Sequence, residues 1–423
     1  MIAINRRTLA TNSLLLMIVK LSSAALAFIF HLLMARQLPV AEYGLFSLAL
    51  TCLMFSVVFA KQGIEPAIVR FFAIDSDNKC KISNLYLYIV LYTFVNSLVV
   101  ALVIVSLKGF ISFSLLNTAE LKSLLPVVAG LTAIQTWLSV NNSVLRGLKK
   151  PLQSMFFTGF CIHAFGILLL LINPPVTGLQ ALNLFFYAVI IATCLSFFVV
   201  SKQVDITWRN IKNIDSSGIN KLYSTSRVLF VSSLAALLSQ QFAVLLLARY
   251  ASLADIALYS IALKVSLLMS YPLIVLNTIT APLYAKMYEQ RQFTEFKQLA
   301  WLTTKGLILI ATPLCLFVMF FSIEIVSFFG EKYLSSATIL SILILGQWVN
   351  LSTGTVISML VMTGHEKTHR RNSVASSLFT IVLMYWLIPL HGILAAAWIS
   401  SASMAMFNLI SLYYVYHFIY RKG

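Results

Sequence analysis

Acidic residues are the scarcest feature of this sequence. The chain of 423 residues carries 13 Asp and Glu against 30 Lys and Arg, and neither acid occurs after Glu366. That scarcity opposes a cavity built to hold cations, and it opposes a carboxylate-ligated metal near the C-terminus. Charge of either sign is low as well, at 10% of residues, where soluble domains run at about 25%. A soluble globule is thereby excluded. Five cysteines (Cys52, Cys80, Cys161, Cys194 and Cys315) are scattered, odd in number and mostly within apolar runs. They have neither paired nor metal-binding spacing and read as small core residues. No polar segment is long enough for a separate domain. Outer loops are short, the longest near 108–122, which leaves no room for a catalytic module. No convincing nucleophile–base set appears, so an enzyme is not expected.

What is present is apolar. Hydrophobic residues make up 60% of the chain, and the mean hydropathy is +0.91. Runs near the ~20 residues that span a bilayer recur throughout and predict twelve spans. They lie near 9–34, 43–72, 83–107, 123–145, 152–173, 179–201, 223–248, 256–284, 301–325, 336–362, 373–390 and 393–418. Helices are expected, because backbone groups in lipid must be satisfied within each segment and these runs are too long for barrel strands. Leu14–Met34 is too long for the apolar part of a cleavable signal (about 7–15 residues) and is interrupted by Lys20, so it is expected to remain as the first span.

The net charge of +17 reads as topology, since cations concentrate in cytoplasmic loops. Of the 30 Lys and Arg, 20 fall in the termini and even-to-odd loops. Five (Arg36, Lys108, Lys122, Arg249 and Lys332) fall on the opposite side, and five lie inside spans. Both termini are therefore expected in the cytoplasm, with no nucleic-acid partner.

The chain also repeats itself. LLMARQLPVAEYGLFSLAL at 32–50 returns as LLLARYASLADIALYSIAL at 245–263, an offset of 213. Leu32, Leu33, Ala35, Arg36, Ala41, Leu45, Ser47, Ala49 and Leu50 recur unchanged, while Glu42 becomes Asp255 and Phe46 becomes Tyr259. A two-fold duplication follows. Each copy reads as a helical hairpin turning at a membrane surface, with Arg36 expected to pair with Glu42 and Arg249 with Asp255. The predicted architecture is an all-α integral membrane protein of twelve transmembrane helices in two six-helix bundles, 1–201 and 223–423. A cytoplasmic linker at 202–222 joins them, and a pseudo-two-fold axis along the membrane normal relates them. Pro66 and Pro282 stand at similar places and predict a shared kink in spans 2 and 8.

The cations inside spans are Lys20, Lys61, Arg70, Arg227 and Lys264, and Glu65 is the one acid clearly among them. A cation facing lipid at mid-membrane costs at least about 2.5–3.5 kcal/mol, so each is expected to face a partner or a water-filled cavity. The alternative is snorkelling to an interface, and Arg70, nearest the cytoplasmic end, suits it best. Lys61 and Glu65, four apart on one helix, are expected to pair. The rest predict a cationic cavity for an anionic substrate, with Glu65 as the candidate for ion coupling. His365-Glu366-Lys367-Thr368-His369 has the H-E-x-x-H spacing of a zinc site. It lies in a basic loop beside Arg370 and Arg371, with no third ligand downstream, so no metal is expected.

ARQLPVAEYGLFSLAL at 35–50 resembles the signature of Wzx-type polysaccharide flippases, in the multidrug/oligosaccharidyl-lipid/polysaccharide exporter superfamily. LRGLKKP at 145–151, EIVSFFGEKYLSSA at 324–337 and TGHEK at 363–367 resemble further recurrent loops of that family. Pro39 departs from the family's usual Gly. The resemblance implies a MATE-like fold of two bundles around a central cavity. The substrate would be an undecaprenyl-diphosphate-linked oligosaccharide, as for O-antigen, moved between leaflets of the bacterial inner membrane by alternating access. It implies no cofactor. The implied partners are membrane lipids, a polysaccharide polymerase and a chain-length regulator. The competing reading is a multidrug/cation antiporter of the same superfamily, which the shortage of acids disfavours.

Overall fold

The computed structural model describes residues 6–74, 79–204 and 216–420. Among these the secondary structure is helical, without a strand. Among the described residues nine helices are long and apolar enough to cross a membrane, or up to eleven if each of two bent pairs counts as one span. Large apolar side chains point outward, as at Leu102 (66% exposed), Trp386 (72%) and Phe320 (79%). The interior is mainly apolar too, with serine, threonine and asparagine buried among the hydrophobic side chains. Large apolar side chains on the outside as well as the inside are the mark of a protein dissolved in lipid. This is a multi-pass membrane protein.

The chain divides into two compact units, Met1–Leu234 and Ala235–Gly423. The first contains α1 (Arg6–Gln37), α2 (Val40–Lys61), α3 (Ile64–Ile74), α4 (Lys79–Ser106) and α5 (Leu121–Gly147). It also holds α6 (Pro151–Met155), α7 (Ile162–Ile172), α8 (Gly178–Val204) and the start of α9 (Ser216–Tyr250). The division between units thus falls inside α9, beyond the linker expected at 202–222; residues 205–215 of that linker lie outside the described residues.

Helix α5 is the centre of the first unit, packed on α2, α3, α4 and α8. Its buried hydroxyl and amide groups explain the choice of neighbours. Thr132 lies 2.7 Å from Ser56 of α2. Asn141 accepts from Tyr86 of α4 (2.8 Å) and donates to Ser196 of α8 (2.9 Å). Such bonds average only about 0.6 kcal/mol in membranes, so they fix register more than they drive association. Helix α1 crosses the α6–α7 rod at small residues. A Cβ on Gly159 would come within 2.6 Å of Ser23, and one on Gly166 within 2.8 Å of Phe30.

The second unit continues with α10 (Leu253–Leu268), α11 (Tyr271–Glu289), α12 (Phe293–Phe320) and the short α13 (Ser322–Ser327). It ends with α14 (Ser336–Ser352), α15 (Val356–Met362) and α16 (Glu366–Val415). Helix α14 is its centre, packed on α10, α12 and α16. Gly346 lets α16 approach: a Cβ there would meet the Cα of Ser401 at 2.8 Å. A straight α16 would far exceed the ~30 Å bilayer core at 1.5 Å per residue. It reverses instead at Gly392, whose φ of 57° and ψ of −135° are non-helical. The two limbs lie together, since Asn372 donates to the Phe407 carbonyl (3.1 Å) and to Ser411 Oγ (2.9 Å). The spans expected at 373–390 and 393–418 are these limbs.

The duplicated stretch forms the same element twice. Helices α1 and α9 end at Gln37 and Tyr250, and α2 and α10 begin at Val40 and Leu253. These boundaries share the offset of 213 seen in the sequence. The expected kinks, however, lie elsewhere. Span 2 breaks at Gln62–Gly63, both left-handed (φ 48° and 74°), and not at Pro66. Pro66 falls in the first turn of α3, where a backbone N–H has no helical partner to lose. Span 8 bends by 41° between α10 and α11, while Pro282 lies within α11. The region 336–362, expected as one helix, bends by 45° between α14 and α15, where Gly354 has φ 73°.

Candidate functional site

In the first unit, the break between α2 and α3 gathers the charges. Lys61 closes α2 and Glu65 opens α3, and their side chains form the expected ion pair at 3.3 Å, though across the break at Gln62–Gly63 and not along one helix. Gln62, between them, accepts from Tyr92 OH at 2.6 Å. Gly63 is pressed against the backbone of α9. A Cβ there would meet Phe230 N at 2.4 Å, Ser226 O at 2.5 Å and the Leu229 carbonyl carbon at 2.9 Å. The α9 segment that carries Arg227 therefore lies at the same break as Lys61 and Glu65. The side chain of Arg227 itself lies outside the described residues.

The other predicted cations lie on α1, α3 and α10. Lys20 is half-buried on α1, close in sequence to Ser23 where that helix crosses Gly159. Arg70 is exposed on α3. Lys264 is half-buried on α10 in the second unit.

The acids of the duplicated hairpins each make bonds that the sequence did not announce. Asp255 closes a capping box. Its Oδ2 accepts from Ser252 N (3.1 Å) and Oγ (2.7 Å), while Ser252 Oγ accepts from Asp255 N (3.2 Å). Arg249 lies over the Tyr250 ring at 5.6 Å. In the first copy the capping position holds Pro39, which has no side-chain oxygen, and no cap bond forms. Glu42 is free of any capping role, and its Oε2 accepts from Gly178 N at 2.6 Å. One residue, Pro39 against Ser252, accounts for the difference.

The second unit holds a cavity of about 410 Å³, within the ~300–1,000 Å³ typical of small-molecule sites. It is enclosed by α9, α10, α14, α15 and both limbs of α16. Its walls mix apolar side chains, including Leu263, Met404 and Phe407, with many hydroxyl and amide groups. Among the described residues no Lys, Arg, Asp or Glu lines it. Neither Lys264 nor any other predicted cation belongs to its wall. The hydrogen bonds already made there set what remains on offer. Gln347 Oε1 accepts from Ser270 (2.8 Å) and Asn350 (3.2 Å), which leaves its NH2 to donate. Asn408 donates to the Met404 carbonyl (2.9 Å), which leaves its Oδ1 to accept.

Comparison with known families follows from this geometry. Residues 33–338 match the model of a family described as polysaccharide biosynthesis protein.

The chain belongs to the polysaccharide biosynthesis protein family.

No curated protein sequence matches it. The solved structures it resembles include the lipid II flippase MurJ in an inward closed conformation. That likeness has a TM-score of 0.75 at 16% identity, over 95% of this chain and 87% of MurJ. An inward-facing multidrug resistance MATE family transporter of the MOP superfamily has a TM-score of 0.74 at 15% identity, over 96% and 98% of the chains. A MOP superfamily transporter from Pyrococcus furiosus, described as having reverse polarity of its binding pocket, has a TM-score of 0.64 at 14% identity, over 96% and 95%. At such identities the likeness concerns the fold, which is MATE-like.

For this polysaccharide biosynthesis protein the H-E-x-x-H spacing is occupied by packing. His365 stacks on Phe418 at 4.7 Å and hydrogen-bonds Thr363 through Nδ1 at 3.0 Å. Among the described residues no group of three or more His, Cys, Asp or Glu could hold a metal. His369 turns instead into the cavity wall, 5.8 Å from the Phe407 ring. The uncharged cavity residues were not foreseen from the sequence, yet a signal was there. His369, Ser373, Ser376 and Thr380 follow one another at helical spacing through an apolar run and form one polar stripe on α16.

Proposed function

We propose that this protein is a flippase that moves an undecaprenyl-diphosphate-linked oligosaccharide from the cytoplasmic to the periplasmic leaflet of the bacterial inner membrane. It works by alternating access, with both termini in the cytoplasm. The observation that carries this reading is the family match across 33–338, on a fold shared with a protein described as a lipid II flippase. The cation distribution supports the orientation. The uncharged, hydrogen-bonding cavity suits sugars better than it suits the cations of a multidrug antiporter, which call for a carboxylate.

In this reading the pyrophosphate meets cations from Lys20, Lys61, Arg227 and Lys264, with Arg70 at the entrance. Lys61 is already paired, so an anion must displace Glu65. A part-exposed pair contributes only about 0–1 kcal/mol, so the exchange is easy and frees Glu65 to take a proton or ion. O-antigen or a related surface polymer is the end product, and a polymerase with its chain-length regulator receives the flipped unit.

The test is the length of surface polysaccharide on a gel, in the native host with this gene deleted and no redundant flippase. Long chains should vanish, return with the wild-type gene, and fail to return with Lys20→Ala at matched membrane level. Rescue by Lys20→Ala would remove Lys20 from the site. An unchanged ladder in the deletion strain would reject the flippase.

A further inference from the structure

The cavity of the second unit carries an inference that rests on the flippase reading and makes it more specific. Its wall offers uncommitted donors and acceptors side by side. Gln347 keeps its NH2, and Asn408 keeps its Oδ1. Ser403 Oγ and His369 Nδ1 are buried and have no hydrogen-bond partner. A group that must both give and accept hydrogen bonds within one small space is a hydroxyl. An anion would want donors alone and a cation acceptors alone, whereas this wall supplies both and, among the described residues, no charge. Apolar surface from Met404 and Phe407 lies beside these groups, and a sugar ring likewise presents hydroxyl edges and C–H faces. Lipid tails fit poorly, since they would strand the buried polar atoms at a cost of a lost hydrogen bond each.

We propose that this cavity binds an uncharged sugar of the lipid-linked oligosaccharide, held by Gln347, Asn408, Ser403 and His369 against Phe407. The pyrophosphate is recognised elsewhere, by the cations. The unit therefore contributes selectivity for neutral glycans, separate from the general attraction for the headgroup. His369, the second histidine of the zinc-like spacing, acts here as a hydrogen-bonding group for sugar.

Two probes separate the contributions: undecaprenyl diphosphate without sugar, and undecaprenyl diphosphate bearing one N-acetylglucosamine. Binding of each to the purified full chain would be titrated by native mass spectrometry. The wild type should hold the sugar-bearing lipid about tenfold more tightly. Ser403→Leu, Gln347→Leu and His369→Phe should each remove that increment and leave the sugar-free lipid unaffected. His369→Phe keeps a flat ring beside Phe407, so it guards against loss of fold in the other variants, and a melting temperature near wild type confirms it. Equal binding of both lipids by the wild type would mean that the cavity holds water only, and would overturn the proposal while leaving the flippase intact. Retention of the sugar preference in all three variants would overturn this site for sugar. Failure of either lipid to bind would reject the flippase and this site with it.

Discussion

The carboxylate of Glu42 accepts a 2.6 Å hydrogen bond from the backbone N–H of Gly178, at the first residue of α8. Asp255, its counterpart in the duplicated hairpin, spends its carboxylate on its own helix through Ser252. The first contact ties two helices together; the second ends one. Glu42→Ala removes a charged acceptor from a helix N-terminus, where such bonds contribute about 1.5–3 kcal/mol. Asp255→Ala should cost about 1 kcal/mol, as for an ordinary cap. Thermal unfolding of the purified protein in detergent should rank the two in that order. Equal losses would show that the Gly178 contact adds nothing.

The Lys61–Glu65 pair allows its two roles to be separated. Exchanging the residues (Lys61→Glu with Glu65→Lys) keeps the pair but moves the cation from the end of α2 to the start of α3. A purely structural pair should tolerate the exchange, with surface polysaccharide at wild-type length. A cation that meets substrate should not, and chains should shorten as they do in Lys61→Ala. The polysaccharide ladder distinguishes these outcomes once membrane levels are matched.

Gly63 and Gly392 both adopt positive φ, but only one is crowded. A methyl at Gly63 would meet α9 backbone atoms at 2.4–2.9 Å, which cannot move without displacing the helix. Gly63→Ala should therefore cost more than about 3 kcal/mol, in the range of severe core overpacking. Nothing lies within 4 Å of a methyl at Gly392, so Gly392→Ala should cost only the backbone strain of its φ and ψ, about 1–3 kcal/mol. Fluorescence-detected size exclusion should show a monodisperse Gly392→Ala protein and an aggregated or absent Gly63→Ala one. The reverse order would contradict the α2–α9 contact.

Zinc should leave the protein indifferent. The His365 ring is held by Phe418 and Thr363, and the zinc-like spacing has no third ligand among the described residues. Chelator treatment should not change the melting temperature or the polysaccharide ladder, whereas His365→Ala should lower the melting temperature through lost packing. A stabilisation by added zinc that His365→Ala abolishes would reverse this assignment.

Much of the fold was legible because lipid imposes a simple demand on sequence. Long apolar runs mark helices, and the repeated stretch placed both hairpins to within about three residues. Pro66 and Pro282 did not mark the breaks: Pro66 sits in a first helical turn, which tolerates it, and α11 continues through Pro282. Gln62 has no propensity that announces a left-handed turn; only packing of Gly63 on α9 requires one. The charged candidates were easy to find, since charge in an apolar run is conspicuous. The cavity was harder. Its groups are serines, threonines and amides that also satisfy helix backbones throughout this chain, as Ser377 and Thr380 do toward Ser373 and Ser376. Only their helical phase, seen at 369, 373, 376 and 380, separates wall from filler.

The hairpin of α16 bears on how the chain is made. Asn372, on the first limb, meets its partners Phe407 and Ser411 only on the second. A chain made only as far as Gly392 lacks these partners for Asn372. At about 0.6 kcal/mol per such bond, the contact cannot hold back the first limb, but it can set the register of the two limbs once both have been made.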